Sequence, residues 1–204
     1  MLTAPAVGYL PGMSAFMDAT TGMGLSGATG VRPYLPPLLA GALARSDTGI
    51  DFDGTDWHFM ESTGFLAALV ALAVIMYVVE RSGPNRRAVE LFSGTMGLVL
   101  GAMLFAGALA DGGSASWPGL LAGALCAALG WRAVGDLIER TRARLDGGAA
   151  ALLSAYADGI ALALAAVAIF VPPLSILAIV AFVVLLAGGR RREGEKYAGL
   201  RILR

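Results

Sequence analysis

The sequence predicts an all-α integral membrane protein, a polytopic bundle of six transmembrane helices in one domain over residues 1–204. Hydrophobic residues make up 57% of the chain and charged residues 15%, whereas soluble domains carry about 25% charged residues. Apolar runs long enough to cross a bilayer, which takes about 20 residues, recur along the chain. Lys and Arg fall almost entirely in alternate connections between these runs. Together these features predict a helical bundle embedded in a lipid bilayer.

The first apolar segment, residues 14–44, is too long for one simple crossing. Its middle contains Arg32 and three prolines, Pro33, Pro36 and Pro37. A proline inside a helix removes a hydrogen-bond donor and crowds the preceding turn. We therefore expect a kinked or broken first helix. Broken backbone at membrane depth is tolerated where it is buried in protein or faces a wet cavity.

The remaining segments follow in order. Residues 45–61 form a polar, acidic loop that ends in aromatic residues. Five apolar spans come next: residues 64–79, 88–110, 118–138, 149–171 and a last span that ends near residue 188. Trp117 is placed as an interface anchor before the fourth span, and the Pro172-Pro173 pair predicts a tight reversal before the sixth.

The basic residues predict the orientation of the bundle. Those on one side are Arg81, Arg86, Arg87, Arg132, Arg140, Arg142, Arg144, Arg190, Arg191, Arg192, Lys196, Arg201 and Arg204. Only Arg45 falls on the opposite side, together with the acidic residues Asp47, Asp51, Asp53, Asp56, Glu61 and Asp111. The positive-inside rule then places both termini in the cytoplasm. The formal net charge is zero, so nucleic acid is not an expected partner.

Short similarities suggest a threefold repeat of helical hairpins over residues 14–90, 91–148 and 149–204. Ser26-Gly-Ala-Thr-Gly30 matches Ser93-Gly-Thr-Met-Gly97, and each hairpin enters from the same side, which makes the repeat parallel. Such a repeat would pack the first helices of the hairpins centrally, with Gly30, Gly97 and Gly159 permitting close approach. The alternative is coincidence, because Gly, Ala and Leu dominate the composition.

The chain resembles the bacterial membrane-protein family catalogued as domain of unknown function 4126. The similarity rests on Gly30-Val-Arg-Pro-Tyr-Leu-Pro36 and on Ser154-Ala-Tyr-Ala-Asp158. Pro33 replaces an Ala of the family pattern, Ala157 replaces a Glu, and Val171 stands where the family tends to place a His. The resemblance implies a polytopic protein of the inner membrane of a bacterium and assigns it no activity.

Arg32 is the most informative residue, because an Arg near the membrane centre costs about 2.5–3.5 kcal/mol on insertion scales and needs a partner or water. Asp158 lies at a similar depth when counted from its own end of the membrane. We therefore expect an Arg32–Asp158 ion pair or a shared polar pocket. A pair that only fixes the register of the helices is the competing interpretation.

Four further residues are candidates for a substrate-binding site around this pair: Tyr34, Asp18, Ser26 and Ser154. For Asp18 the competing interpretation is an interface residue or N-cap on the cytoplasmic side. The serines are also explained by hydroxyl-to-backbone bonds within apolar helices. No nucleophile–base constellation, metal-ligand motif or cofactor motif is visible. We therefore expect neither an enzyme nor a metal or cofactor site.

Two functions remain open. The first is a small transporter or channel-like protein for a small anionic solute or lipid, with Arg32 and Asp158 as the intramembrane polar site. The second is a structural or assembly subunit of a membrane complex, in which the same residues are sealed inside the bundle. The oligomeric state is open, and a homo-oligomer is compatible with either function.

Overall fold

The computed structural model describes the backbone of residues 11–82, 86–142 and 147–198 and the side chains of residues 14–80, 87–141 and 152–188. This part of the chain is helical, without β-strands. Its α-helices are α1 (Pro11–Val31), α2 (Leu35–Ala44), α3 (Thr63–Ser82), α4 (Arg86–Asp111), α5 (Trp117–Arg142), α6 (Gly147–Phe170) and α7 (Ser175–Ala198). Short 3-10 helices cover His58–Glu61 and Pro172–Leu174. The all-α class predicted from the sequence is confirmed.

Among the described residues, four stretches are long and apolar enough to cross a membrane: Thr63–Glu80, Arg87–Asp111, Trp117–Thr141 and Leu152–Phe170. A shorter apolar stretch, Pro172–Gly188, covers the start of α7. Helix α1 has 21 residues, but its many Gly, Ser and Thr residues make it less apolar. The lengths and compositions of these helices are those of an integral membrane protein.

Helix α1 occupies the centre of the bundle and contacts α2, α4, α5, α6 and α7. The small residues of α1 allow the neighbouring helices to approach its backbone closely. The Ser26 hydroxyl, fully buried, donates to the carbonyl oxygen of Gly101 in α4 at 2.6 Å. A Cβ added to Gly30 would overlap the carbonyl oxygen of Ala127 in α5. A Cβ added to Gly97 would lie 3.1 Å from the carbonyl oxygen of Thr29 in α1. Close backbone approach therefore joins α1, α4 and α5.

The third glycine of the predicted repeat behaves differently. Among the described residues, a Cβ on Gly159 would meet no atom within 4 Å, so the close helix approach predicted at Gly159 is not found there. Helices α4 and α6, two of the predicted central helices, make no contact with each other among the described residues. The central group is instead α1, α4 and α5.

The chain reverses direction between α1 and α2. Gly24 lies against Ala168 and Arg32 against Asp158, so α1 runs antiparallel to α6. Gly49, beyond the end of α2, lies against Ile169, so α2 runs parallel to α6. The segment predicted as one broken crossing is therefore a hairpin of a long and a half-length helix. The first hairpin does not share the direction of the other two, and the three parallel repeats are not found.

Two ends of the bundle can now be defined. The acidic end carries residues 45–62 and the α4–α5 and α6–α7 turns, and the basic end carries the ends of α3 and α5 and the starts of α4 and α6. Asp18, early in α1, lies against Gly112 in the α4–α5 turn, so α1 starts at the acidic end. Helix α7 runs parallel to α1, because Ser175 lies against Gly24 and Phe182 against Gly27, and ends at the basic end. The start of α1 and the end of α7 therefore lie at opposite ends of the bundle, whereas the sequence predicts that both termini share one side. Residues 1–10 and 199–204 themselves lie outside the described residues.

The loop between α2 and α3 closes the acidic end. Ile50, Phe52 and Met60 are buried and join the main apolar cluster with Leu25 and Leu104. The Phe52 backbone N–H donates to the buried Glu61 carboxylate at 2.6 Å, which fixes the loop over the bundle. The apolar core therefore fills the bundle on the acidic side of the α1–α2 connection.

Candidate functional site: the Arg32 cluster

The sequence itself places Arg32 in the break between α1 and α2. The Arg32 backbone N–H still donates to the Ala28 carbonyl at 3.1 Å and continues the last turn of α1. Pro33 has no N–H to donate, so the ladder stops there. Pro36 and Pro37 lie in the first turn of α2, where a missing N–H costs little and the fixed φ suits a helix. Two of the three prolines thus begin a helix, and the interruption itself covers residues 32–34.

The Arg32 side chain joins two helices that do not contact each other in the described part of the chain, α3 and α6. Its Nε lies 2.6 Å from Asp158 Oδ1 of α6, which is the ion pair predicted from the sequence. Its Nη1 lies 3.3 Å from Glu80 Oε1 of α3. The Arg32 side chain is 19% exposed, Glu80 33% and Asp158 44%. A guanidinium and two carboxylates thus meet at the tip of the α1–α2 hairpin.

Ser154 completes the contacts of the guanidinium, one turn before Asp158 on the same face of α6. The Arg32 Nη2 donates to the Ser154 carbonyl oxygen at 3.2 Å and also to its hydroxyl. A helix carbonyl can accept such a second hydrogen bond because it has two lone pairs. We call Arg32, Glu80, Ser154 and Asp158 the Arg32 cluster.

Tyr34 lies beside the Arg32 cluster and is 8% exposed. Its hydroxyl faces Ser93 of α4 and is close enough to Glu80 and Arg32 for their charges to act on it. Among the described residues, however, no hydrogen bond of acceptable geometry satisfies this buried hydroxyl. Buried polar groups are nearly always paired with protein or water, so Tyr34 has spare hydrogen-bonding capacity next to the cluster.

Two of the residues proposed for the site from the sequence are not part of it. Ser26 is buried against α4, one and a half turns before Arg32. Asp18 is 14 residues before Arg32 in sequence, about 21 Å of helix away at 1.5 Å per residue, and lies at the acidic end against Gly112. Because α1 starts at the acidic end, Asp18 lies opposite the basic end, with which the sequence grouped it.

Glu80 is the member of the Arg32 cluster that sequence reasoning missed. It lies two residues before the end of α3 and is followed directly by Arg81, so it resembles the polar close of an ordinary span. The signal that could have identified Glu80 was its depth in the membrane. Arg32 needs a negative charge beside it, and an acidic residue on a neighbouring helix can supply one only at the same depth.

Carboxylates also gather at the acidic end. Asp53 Oδ1 lies 2.8 Å from His58 Nδ1, and Glu61 brings a carboxylate oxygen within 4.8 Å of both ligand atoms. The side chains of Asp53 and His58 are 62% and 65% exposed. Acidic surface loops commonly bring such groups together, and the arrangement by itself does not indicate a metal site.

Comparison with protein families agrees with the motif at the helix break. The family described as Domain of unknown function (DUF4126) matches residues 19–192. The chain belongs to the DUF4126 family. The matched region includes every residue of the Arg32 cluster. Neither a curated protein nor a solved structure matches the chain, so the function of this DUF4126 protein has to be argued from its site.

Proposed function

We propose that the protein is a small, non-enzymatic transporter or channel-like membrane protein, whose substrate contacts the Arg32 cluster. The observation that carries this proposal is the meeting of one guanidinium and two carboxylates at a helix interruption within a bundle of apolar helices. Ionisable groups in membrane bundles are costly and are typical of substrate or ion pathways. Interrupted helices are the usual framework of such sites in transporters.

The surroundings of the Arg32 cluster differ between its acidic-end side and its basic-end side. Towards the acidic end, the apolar core of Leu25, Leu104 and Phe52 fills the bundle. Towards the basic end, Asp158 is about 16 Å from the start of α6 by helix rise, and Glu80 lies almost at the end of α3. The partial exposure of both carboxylates is consistent with access from the basic end. A site open on one side favours alternating access over a permanently open pore.

The orientation that we propose follows the positive-inside rule. Arg87 and Arg140, at the basic end, face the cytoplasm, and the acidic end faces outward across a bacterial inner membrane. Helices α3 to α7 cross the bilayer, which makes five crossings, whereas α1 enters from outside and reaches only to Arg32. Half-length α2 returns outward from the tip at Arg32, so that α1 starts outside.

The structural or assembly subunit is the second candidate, and one observation favours it. Each nitrogen of the Arg32 guanidinium already contacts an acceptor within the chain. A guanidinium paired in this way can have a purely structural role, which is to hold α3 against α6, although its Nε lies against Asp158 without a hydrogen bond of acceptable geometry. Under this interpretation, replacing Arg32 would loosen the bundle without changing any flux.

Proteoliposomes distinguish the two candidates. The parent protein, Arg32→Ala and the control Arg140→Ala are reconstituted at equal density; Arg140 also pairs with an Asp, but at an exposed i,i+4 site. Osmotic swelling in KCl, in potassium phosphate and in glycerol, and scrambling of a fluorescent phospholipid, are then measured. We expect at least one of these fluxes to be faster than in protein-free vesicles, to fall about tenfold in Arg32→Ala and to persist in Arg140→Ala. Rates equal to protein-free vesicles in every arm would refute transport and leave the subunit role.

A further inference from the structure

The chemistry of the Arg32 cluster indicates which charge its ligand carries. A guanidinium offers five N–H donors and no acceptor. In this structure Nε faces Asp158, Nη1 faces Glu80, and Nη2 donates twice to Ser154. Four of the five N–H groups therefore already face an acceptor, and an anion at the remaining Nη1 N–H would lie beside Glu80. The carboxylates of Glu80 and Asp158 would repel such an anion, because like charges repel.

The Arg32 cluster has more hydrogen-bond acceptors than its contacts with Arg32 use. Each carboxylate has two oxygens with about four lone-pair sites in all, and the contact with Arg32 uses one oxygen of Asp158 and one of Glu80. The Tyr34 hydroxyl, which is close enough to Glu80 and Arg32 for their charges to act on it, adds a further oxygen without a hydrogen bond of acceptable geometry. In ionised form, one positive and two negative groups leave a formal charge of −1 (+1 −1 −1). The site is therefore rich in oxygen acceptors and has a single negative charge to neutralise.

We infer that the Arg32 cluster is a binding site for one monovalent positive charge, either an alkali-metal ion or the ammonium group of a small amine, held by the oxygens of Asp158, Glu80 and Tyr34. This inference rests on the proposed function and replaces the anionic solute expected from the sequence. A single positive charge makes the site neutral. A divalent ion would leave an excess positive charge, which is costly in surroundings of low dielectric constant.

Ligand-dependent stability of the purified full-length protein tests the inference without any flux measurement. Thermal unfolding in detergent is followed at constant ionic strength while N-methylglucamine chloride, whose cation is too bulky for the site, is exchanged for NaCl, KCl or ethylammonium chloride. In a further arm, N-methylglucamine phosphate replaces the chloride salt. A ligand that binds only the folded state raises Tm in proportion to the logarithm of its concentration above Kd. The three cation arms distinguish a metal ion from an amine.

Two charge-neutralising variants and a matched control complete the experiment. We expect a saturable Tm rise with at least one cation, an apparent Kd weakened about tenfold or more in Asp158→Asn and in Glu80→Gln, and an unchanged Kd in Asp136→Asn. Asp136 is also an acid paired with an Arg, but lies outside the site. Glu80→Gln keeps the test informative if Asp158→Asn does not fold, because Glu80 lies near the helix end.

The inference is overturned if no cation gives a saturable rise in the parent protein, if only phosphate does, or if Asp136→Asn weakens cation binding as much as the site variants. Failure of the proposed function looks different. Saturable cation binding with no flux in proteoliposomes would refute transport and keep the cation site. Flux that depends on Arg32 without any cation effect would keep transport and refute the cation site.

Discussion

Replacing each of two glycines by Ala tests the packing of the bundle most directly. At Gly30, a new Cβ would overlap the backbone of α5, and the surrounding backbone cannot rotate away as a flexible side chain could. At Gly159, the same Cβ enters open space. The two substitutions are chemically identical and both lie in helices or at their ends, so the difference between them isolates the helix contact.

The magnitudes follow from two opposing effects. Gly to Ala in a helix gains about 0.8–1.0 kcal/mol from backbone entropy. Overpacking a close contact costs about 1–3 kcal/mol of stability. We place Gly30→Ala at the upper limit of this range, because the atoms that its Cβ would overlap belong to the backbone of α5. We therefore expect Gly30→Ala to lower the free energy of unfolding by about 2 kcal/mol or more, and Gly159→Ala to raise it by up to about 1 kcal/mol.

The measurement is equilibrium unfolding in mixed detergent micelles, in which the SDS fraction is increased and helicity is followed by circular dichroism. The sequence alone predicts equal losses at both positions, since both glycines were aligned in the same repeat. Equal destabilisation of the two variants, or a more stable Gly30→Ala protein, would refute the packing of α1 against α5 described above.

Three further outcomes are expected. In a cysteine-free background, a membrane-impermeant maleimide applied from outside should label Phe16→Cys and Asp53→Cys but not Glu139→Cys; labelling of Phe16→Cys together with Glu139→Cys would contradict the reversal between α1 and α2. Ser26→Ala should lose about 0.6–1.7 kcal/mol of unfolding free energy, the range for hydrogen bonds between membrane helices, in the same SDS titration; no loss would mean that the bond to α4 contributes nothing. Glu61→Ala should lose about 1–3 kcal/mol, because a buried backbone N–H loses its acceptor, and should expose the α2–α3 loop to proteolysis; a loop as resistant as in the parent protein would show that this carboxylate does not hold it.

Much of the Arg32 cluster could be predicted from the sequence. An Arg within an apolar segment requires a partner, and Asp158 was the acidic residue at matching depth, so elementary electrostatics sufficed for the pair. Glu80 was not predicted, because an acidic residue followed by Arg81 at the end of a span is ordinary. Ser26 and Asp18 were candidates for the site, but α1 is one continuous helix that keeps Asp18 about 21 Å from Arg32, and Ser26 is buried against α4.

The sequence by itself determined that this is a membrane protein, where its long helices run, and that Arg32 must be neutralised within it. These properties follow from the length of the apolar runs and from the cost of an isolated charge in a membrane. Both quantities depend on short stretches of the chain and can be summed along it. Only the tertiary structure decided that α1 and α2 turn back on each other, that Gly30 is crowded while Gly159 is open, and that a second carboxylate reaches Arg32. The physical reason is that the direction of a chain after a short interruption depends on which neighbours it packs against, and a linear sequence does not specify those neighbours.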